Sequence, residues 1–489
     1  MNLSDIVAAH EGLLRSGSPG VEIRGLTADS RAVEPGFLFA ALPGVAVDGA
    51  RFIDQALSAG AAAVLTHEDY HQAGGFQGDV PATVALLVAP DPRFVLAEMA
   101  ARFYYPQPSH QFAVTGTNGK TSVASFVRQI WQHVGIGGAS LGTVGVVSPL
   151  GETKLSHTTP EPVTLHHLLQ DLAVGGVDHV IVEASSHGLA QRRLDGMQFE
   201  AAAFTNITRD HLDYHKTFDA YFAEKQRLFT DLLAPSGAVV VDADAPGADE
   251  VIALCQTLQI PLMTIGKKGR FLRVQSIERD GFGQTIRLSA EGQERRLHLP
   301  LVGDFQVSNA LVAAAMVAAG GVPLAEVLSG VETLKGAVGR LERVGDHAGA
   351  PIFVDYAHTP DALGRAIEAL LPYKTGRLIV VFGCGGDRDQ GKRALMGALA
   401  VKHADHVIVT DDNPRGEEAA AIRAQILQAA SGADEIGDRA EAIAFAVSQL
   451  RLGDVLLVAG KGHETGQIVG DKVLPFSDHL AVQEALAGL

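Results

Sequence analysis

Phe112-Ala113-Val114-Thr115-Gly116-Thr117-Asn118-Gly119-Lys120-Thr121-Ser122 is the stretch on which the reading of this chain turns. Phe112–Thr115 is a short apolar run that reads as a buried strand, and Ser122 to His133 carries helical spacing. Between them, small residues let backbone N–H groups close around an anion at a helix start, where the dipole favours negative charge. Lys120 can reach a transferred phosphate and the Thr121 hydroxyl can hold Mg²⁺. Gly116, Thr117, Asn118, Gly119, Lys120, Thr121 and Ser122 are therefore the expected ATP-binding set. The usual phosphate loop has a further glycine at position 114, which is Val114 here, so the loop is a shortened variant.

Further apolar runs alternate with helical spacing on both sides. Val180–Glu183, Ala202–Thr205 and Ala238–Val241 read as strands, as do Leu378–Phe382, His406–Thr410 and Asp454–Ala459. Strands separated by helices indicate an α/β chain with two doubly wound, mostly parallel sheets. A length of 489 residues gives a prior of about three domains. The expected division is 1–108, 109–338 with a central phosphate-loop-type sheet, and 339–489 with a Rossmann-like sheet. Tyr104-Tyr105-Pro106-Gln107-Pro108 reads as the first linker. Residues 260–300 show strand-like alternation suited to an antiparallel edge.

Composition narrows the class. Lys and Arg number 39 against 56 Asp and Glu, a formal charge of −17 that speaks against nucleic acid as partner. Glycine, at 54 residues, exceeds the roughly 7% of average usage, as many tight strand-to-helix turns would require. Two cysteines form no disulfide framework, no signal-like N-terminus is evident, and no apolar stretch is long enough to span a membrane. A cytoplasmic enzyme is the expectation.

Several side chains stand out from their surroundings. Phe218 to Leu232 carries a helical apolar stripe, and Lys225 falls in its middle. A buried ammonium is costly unless paired or neutralised, so Lys225 either snorkels to water or is chemically special. Asn206 to His215 follows a strand and holds two His and two Asp, which read as metal ligands or as an ordinary hydrogen-bonded turn. Glu183 stands at another strand tip, where a carboxylate beside a phosphate loop usually serves Mg²⁺.

In order along the chain, Gly116–Thr121, Glu183-Ala184-Ser185-Ser186-His187-Gly188, Asn206–His215, Tyr221–Lys225, Ser308-Asn309-Ala310, Gly339-Arg340-Leu341-Glu342 and Asp355–Pro360 together resemble the Mur ligases of peptidoglycan synthesis. Asp29-Ser30-Arg31 and His157-Thr158-Thr159-Pro160 resemble the branch that adds the third stem-peptide residue to UDP-MurNAc-L-Ala-D-Glu. The resemblance implies a Lys225 carbamylated by CO₂ that, with His211, serves a second Mg²⁺, while Thr121 and Glu183 serve the first. Lys120, Lys225, His211 and Glu183 are then the catalytic set. It further implies Asn309, Arg340 and Asp355 around ATP, and Ser30, Thr158, Thr159, Ser185, Gln191 and Arg193 around the UDP-MurNAc-dipeptide. Asp48-Gly49 lies in the uridine loop, where Val45, Ala46 and Val47 replace more polar residues. Monomeric action in peptidoglycan precursor synthesis is expected, without membrane insertion.

Three loops at strand ends complete the picture: Gly383–Asp389, Asp411–Arg415 and Gly460–Glu464. Carboxyl ends of parallel strands share one sheet edge, so these loops can converge on one ligand. Arg388 and Arg415 offer forks for carboxylates and Glu464 can accept from an ammonium, a set that suits an amino-acid zwitterion. Asp412-Asn413-Pro414-Arg415 resembles the pattern of enzymes that add meso-diaminopimelate, whose distal carboxylate needs a cation. The expected ligand set is Arg388, Asp412, Asn413, Pro414, Arg415, Gly460 and Glu464. The expected reaction is ATP-dependent amide formation through an acyl phosphate; an L-lysine-adding relative and a folylpolyglutamate synthase-like ligase are the alternatives.

Overall fold

The computed structural model describes residues 1–489 apart from 9, 11, 45, 46, 73 and 74 and the side chain of Asp213. The expectation for Val45 and Ala46 thus lies outside the described residues. Two compact units emerge, one of residues 1–271 and 312–327, the other of residues 272–311 and 328–489.

The first unit holds two sheets. Strands β1 (Leu14–Ser16), β2 (Gly25–Thr27), β3 (Phe37–Ala40), β4 (Ala63–His67) and β5 (Ala85–Ala89) pair in the order β1-β5-β4-β3-β2. All neighbours run parallel except β1 against β5. Of these strands, β1 and β2 are only three residues long, too short for alternation to be visible beforehand.

The second sheet uses β6 (His110–Thr115), β7 (Gly138–Gly142), β8 (Gly145–Ser148), β9 (Gly151–Thr153), β10 (His179–Glu183), β11 (Phe199–Phe204), β12 (Leu233–Asp242) and β13 (Leu262–Gly266). Six parallel strands lie in the order β13-β12-β11-β6-β10-β7, and β8 and β9 extend the β7 edge antiparallel. The expected strands within it appear with earlier starts, and the one expected at Ala202–Thr205 ends at Phe204. Their continuous apolar runs reflect burial on both faces, with Val180, Ile181, Ala202 and Val240 fully buried. With β6 central and flanked by β10 and β11, the segments after these three strands emerge at the same sheet edge.

In the second unit, β14 (Leu272–Asp280), β15 (Gly283–Ala290) and β16 (Gln293–Leu299) form the antiparallel ladder foreseen for 260–300, while β13 belongs to the parallel sheet. Strands β17 (Glu342–His347), β18 (Ala350–Asp355), β19 (Leu378–Phe382), β20 (His406–Val409), β21 (Asp434–Glu435) and β22 (Val455–Ala459) pair as β17-β18-β22-β19-β20-β21, parallel except β17. A last hairpin joins β23 (Gly466–Val469) to β24 (Lys472–Pro475). Because β22, β19 and β20 are neighbours, the three loops that follow them leave from one edge. Among the described residues, no helix is long and apolar enough to cross a membrane.

Candidate active site

The phosphate loop sits between β6 and the helix Lys120–His133. Gly119 opens that helix at φ +92°, a left-handed conformation suited to glycine. Gly116 stands at φ +148°, and a Cβ there would meet Thr205 Oγ1 at 1.9 Å. The loop is tied to the strand beside it. Thr117 N donates to Asn206 O (2.9 Å) and Asn118 N to Asn206 Oδ1 (3.1 Å), while Thr205 Oγ1 donates to Asn118 O (2.6 Å). Lys120 Nζ donates to Gly116 O (2.9 Å) and Thr117 O (3.0 Å). Ser122 is buried one position into the helix from Thr121.

Glu183 ends β10 and is only 2% exposed. Its Oε2 accepts from Thr121 Oγ1 (3.0 Å) and Thr143 Oγ1 (3.2 Å), and its Oε1 from Thr143 N (2.9 Å). Thr143 was not singled out from sequence; the register of β7 beside β10 brings it here, and only knowledge of strand order would have signalled it. Thr143 Oγ1 also lies 3.1 Å from Thr158 Oγ1.

A polar chain runs on from there. Thr159 Oγ1 donates to Glu183 O (2.6 Å) and to Ser185 Oγ (2.9 Å), and Ser185 Oγ caps the short helix Ser186–Ala190 by accepting from Gly188 N (3.0 Å). Arg193 donates to Thr159 O (2.7 Å) and Gln191 Oε1 (2.8 Å). Gln191 and Arg193 line a cavity of about 160 Å³ together with Thr27, Asp29, Arg93 and Glu161. Ser30 is not among its lining residues; it donates instead to Gln55 Oε1 (2.9 Å). Asp48 accepts from Ala50 N (2.8 Å) and lies 3.0 Å from His67 Nε2.

Lys225 lies on the helix Phe218–Thr230 and is 1% exposed, so it does not snorkel. Its Nζ donates to Gly116 O (2.9 Å), the carbonyl that Lys120 also uses, and stands 4.6 Å above the Tyr221 ring. It pairs with no carboxylate among the described side chains. Burial, helped by the neighbouring Lys120 charge, holds its pKa well below that of an ordinary lysine. Tyr221, which anchors the loop through Thr117 Oγ1 (3.0 Å), is pushed up to about 12, chiefly by burial. His211 is about half exposed, takes a left-handed φ of +52° and lies 3.5 Å from Asp210. Its ring is 4.8 Å from that of His187 and 6.2 Å from that of Tyr221. Among the described residues, no group of three or more His, Cys, Asp or Glu side chains is gathered for a metal ion.

Asn309, Arg340 and Asp355 belong to the second unit, where they are brought together. Asn309 Nδ2 donates to Gln306 Oε1 (3.2 Å), and Gln306 Nε2 to Arg340 O (3.2 Å). Leu341 N (2.6 Å) and Ala357 N (2.7 Å) both donate to the Asp355 carboxylate, yet burial still raises its pKa to about 6. The Arg340 guanidinium lies 4.8 Å over the Tyr356 ring.

The three C-terminal loops do interlock. Asn413 Nδ2 donates to Glu464 Oε2 (2.8 Å), and Arg415 Nη1 to Gly386 O (2.9 Å). Asp412 and Asn413 are buried, Arg415 is half-buried at a left-handed φ of +52°, and Pro414 links them. A Cβ on Gly460 would come within 2.7 Å of Asp412 Oδ2. Arg388 is exposed at the loop rim, with its Nη1 on the carbonyl of Asp387 (3.3 Å). Arg415 N bonds Ile468 O (3.0 Å), so the hairpin β23–β24 supports this loop.

Comparison with known proteins matches three family descriptions: "Mur ligase family, catalytic domain" over residues 22–104, "Mur ligase middle domain" over 114–317 and "Mur ligase, glutamate ligase domain" over 339–462. The chain belongs to the Mur ligase family. A relative from Bradyrhizobium diazoefficiens named UDP-N-acetylmuramoyl-L-alanyl-D-glutamate–2,6-diaminopimelate ligase is 50% identical, covering 100% of this chain and 99% of its own. A Brucella melitensis protein of the same name is 51% identical over 100% and 98%. A solved structure under that name superposes with a TM-score of 0.73 at 34% identity, covering 100% and 99%. The Mur ligase fold therefore extends over the whole chain.

Proposed function

We propose that this chain is an ATP-dependent amide ligase that joins meso-2,6-diaminopimelate to the D-Glu residue of UDP-MurNAc-L-Ala-D-Glu in peptidoglycan precursor synthesis. Full-length relatives at about 50% identity bear the name of that activity. The single structural observation that supports the reading is a phosphate loop whose Thr121 pairs with Glu183 and whose Gly116 carbonyl accepts from the buried Lys225. We further propose three working domains, 1–108, 109–338 and 339–489, and a monomer acting in the cytoplasm.

In this reading the D-Glu side-chain carboxylate attacks the γ-phosphorus of ATP. An O–P bond forms, the bond to ADP breaks, and an acyl phosphate results. The diaminopimelate amine then attacks the acyl carbon, phosphate departs, and the amine gives up a proton. Lys120 swings from its carbonyls onto the nucleotide phosphates and offsets their charge. Thr158, Thr159, Ser185, Gln191 and Arg193 hold the muramoyl dipeptide, and Ser30 its nucleotide end. Asn309, Arg340 and Asp355 hold ATP, and Arg388, Asp412, Asn413, Pro414, Arg415, Gly460 and Glu464 hold the incoming amino acid.

The donor set fits Mg²⁺. Thr121 and Glu183 offer hard oxygen atoms 3.0 Å apart, the chemistry that Mg²⁺ prefers. Lys225 fits carbamylation for a physical reason: a lysine with a lowered pKa presents a neutral amine, which adds to CO₂ and releases one proton. The resulting anion, near Lys120 and with His211, would serve a second Mg²⁺. When bound, Mg²⁺ supplies charge neutralisation for phosphoryl transfer.

Phosphate release tests the reaction class. It should require ATP, Mg²⁺, UDP-MurNAc-L-Ala-D-Glu and meso-diaminopimelate together. Equal release with a folate and glutamate in place of the last two would overturn the proposal.

A further inference from the structure

Lys461 follows Gly460 at the end of β22 and is fully buried, yet no step above uses it. Its Nζ donates to Asn413 Oδ1 (2.9 Å) and Glu464 Oε2 (3.2 Å) and lies 4.0 Å from Asp412 Oδ1. One ammonium thus bridges the loop after β20 to the loop after β22. Burying it without such partners would be strongly unfavourable, so its partners are held as firmly as it is.

The hydrogen-bond directions say what it holds. Asn413 Oδ1 accepts from both Lys461 and Ile468 N (2.9 Å), which fixes the amide so that its Nδ2 must face Glu464. Glu464 Oε2 therefore takes two protein donors, Lys461 and Asn413, while Oε1 accepts from none of the described residues. Glu464 keeps about 30% of its side chain exposed, against none for Lys461. Glu464 Oε1 is thus the carboxylate oxygen left to accept from a ligand ammonium.

We infer that Lys461 is a positioning residue: it saturates one oxygen of Glu464 and aims the other at the ammonium of the incoming amino acid. This rests on the proposal that these loops hold the amino-acid substrate. Lys461 touches neither ATP nor the nucleotide sugar in this scheme, so its loss acts on one substrate alone.

The test measures KM for meso-diaminopimelate, ATP and UDP-MurNAc-dipeptide, and kcat, in wild type, K461M, E464Q and the double variant. K461M is expected to raise KM for meso-diaminopimelate at least tenfold, with kcat and the other two KM values within about twofold. In the E464Q background the same change should have under a threefold effect, because its route runs through Glu464. Additive effects, or equal rises in all three KM values, would overturn the inference. If K461M does not fold, K461L, which also lacks a donor, takes its place. Failure of both to fold while E464Q folds would assign Lys461 to stability alone and also overturn it. A wild type that releases no phosphate with meso-diaminopimelate would instead refute the functional reading beneath it.

Discussion

At Lys225 the sequence and the structure speak to the same physical conflict. A charge inside an apolar stripe was visible from spacing, and burial removes the snorkelling alternative. The native amine has a lowered pKa, so between that value and the ordinary 10.5 the unfolded chain binds a proton that the folded chain does not. Stability contributed at this site therefore rises with pH across that window. In CO₂-free buffer, the stability of wild type relative to K225M should rise from pH 7 to pH 9.5 in urea unfolding. Parallel profiles would contradict the buried neutral amine. With ¹³C-bicarbonate present, wild type should show one carbamate resonance that K225M lacks. Lys461 was harder to see, because glycines flank it and no apolar pattern marks it as buried. Thr143 was equally hidden, since its role depends on which strand lies beside β10.

At the scale of elements, apolar strands such as β10, β19 and β22 were legible because burial on both faces writes them as unbroken runs. Strands β1 and β2 were not, for three residues carry no period. The antiparallel ladder of β14 to β16 showed through its alternation, with β15 buried at Ile286 and Leu288 and exposed at Arg287. The phosphate loop was legible as a motif, but its brace was not. Thr205, Asn206 and Tyr221 fix the loop from β11 and the helix that follows. G116A drives a methyl into that brace at a left-handed φ. The variant should fold with a Tm lowered by several degrees and bind ATP at least tenfold more weakly by calorimetry, a loss of about 1.4 kcal/mol or more. Unchanged ATP affinity would show that the loop does not hold nucleotide in this conformation.

For the whole molecule, composition indicated an α/β enzyme and discouraged nucleic acid, and the architecture agrees with the α/β class. An overall charge of −17 opposes anionic substrates such as ATP, so in the proposed function their attraction would be local, through Lys120, Arg193, Arg340, Arg388, Arg415 and Mg²⁺. The choice of amino acid also belongs to this scale, since it needs loops from three strands at one sheet edge. Lysine lacks the distal carboxylate that would meet Arg415, and a half-buried guanidinium left without its partner disfavours the wrong substrate. A competition reaction tests this most directly. The purified protein is given ATP, Mg²⁺, UDP-MurNAc-L-Ala-D-Glu and equimolar meso-diaminopimelate and L-lysine, and the product is weighed by mass spectrometry. The account predicts the diaminopimelate amide in at least a hundredfold excess; a lysine amide in equal or greater amount, or no amide at all, would contradict it.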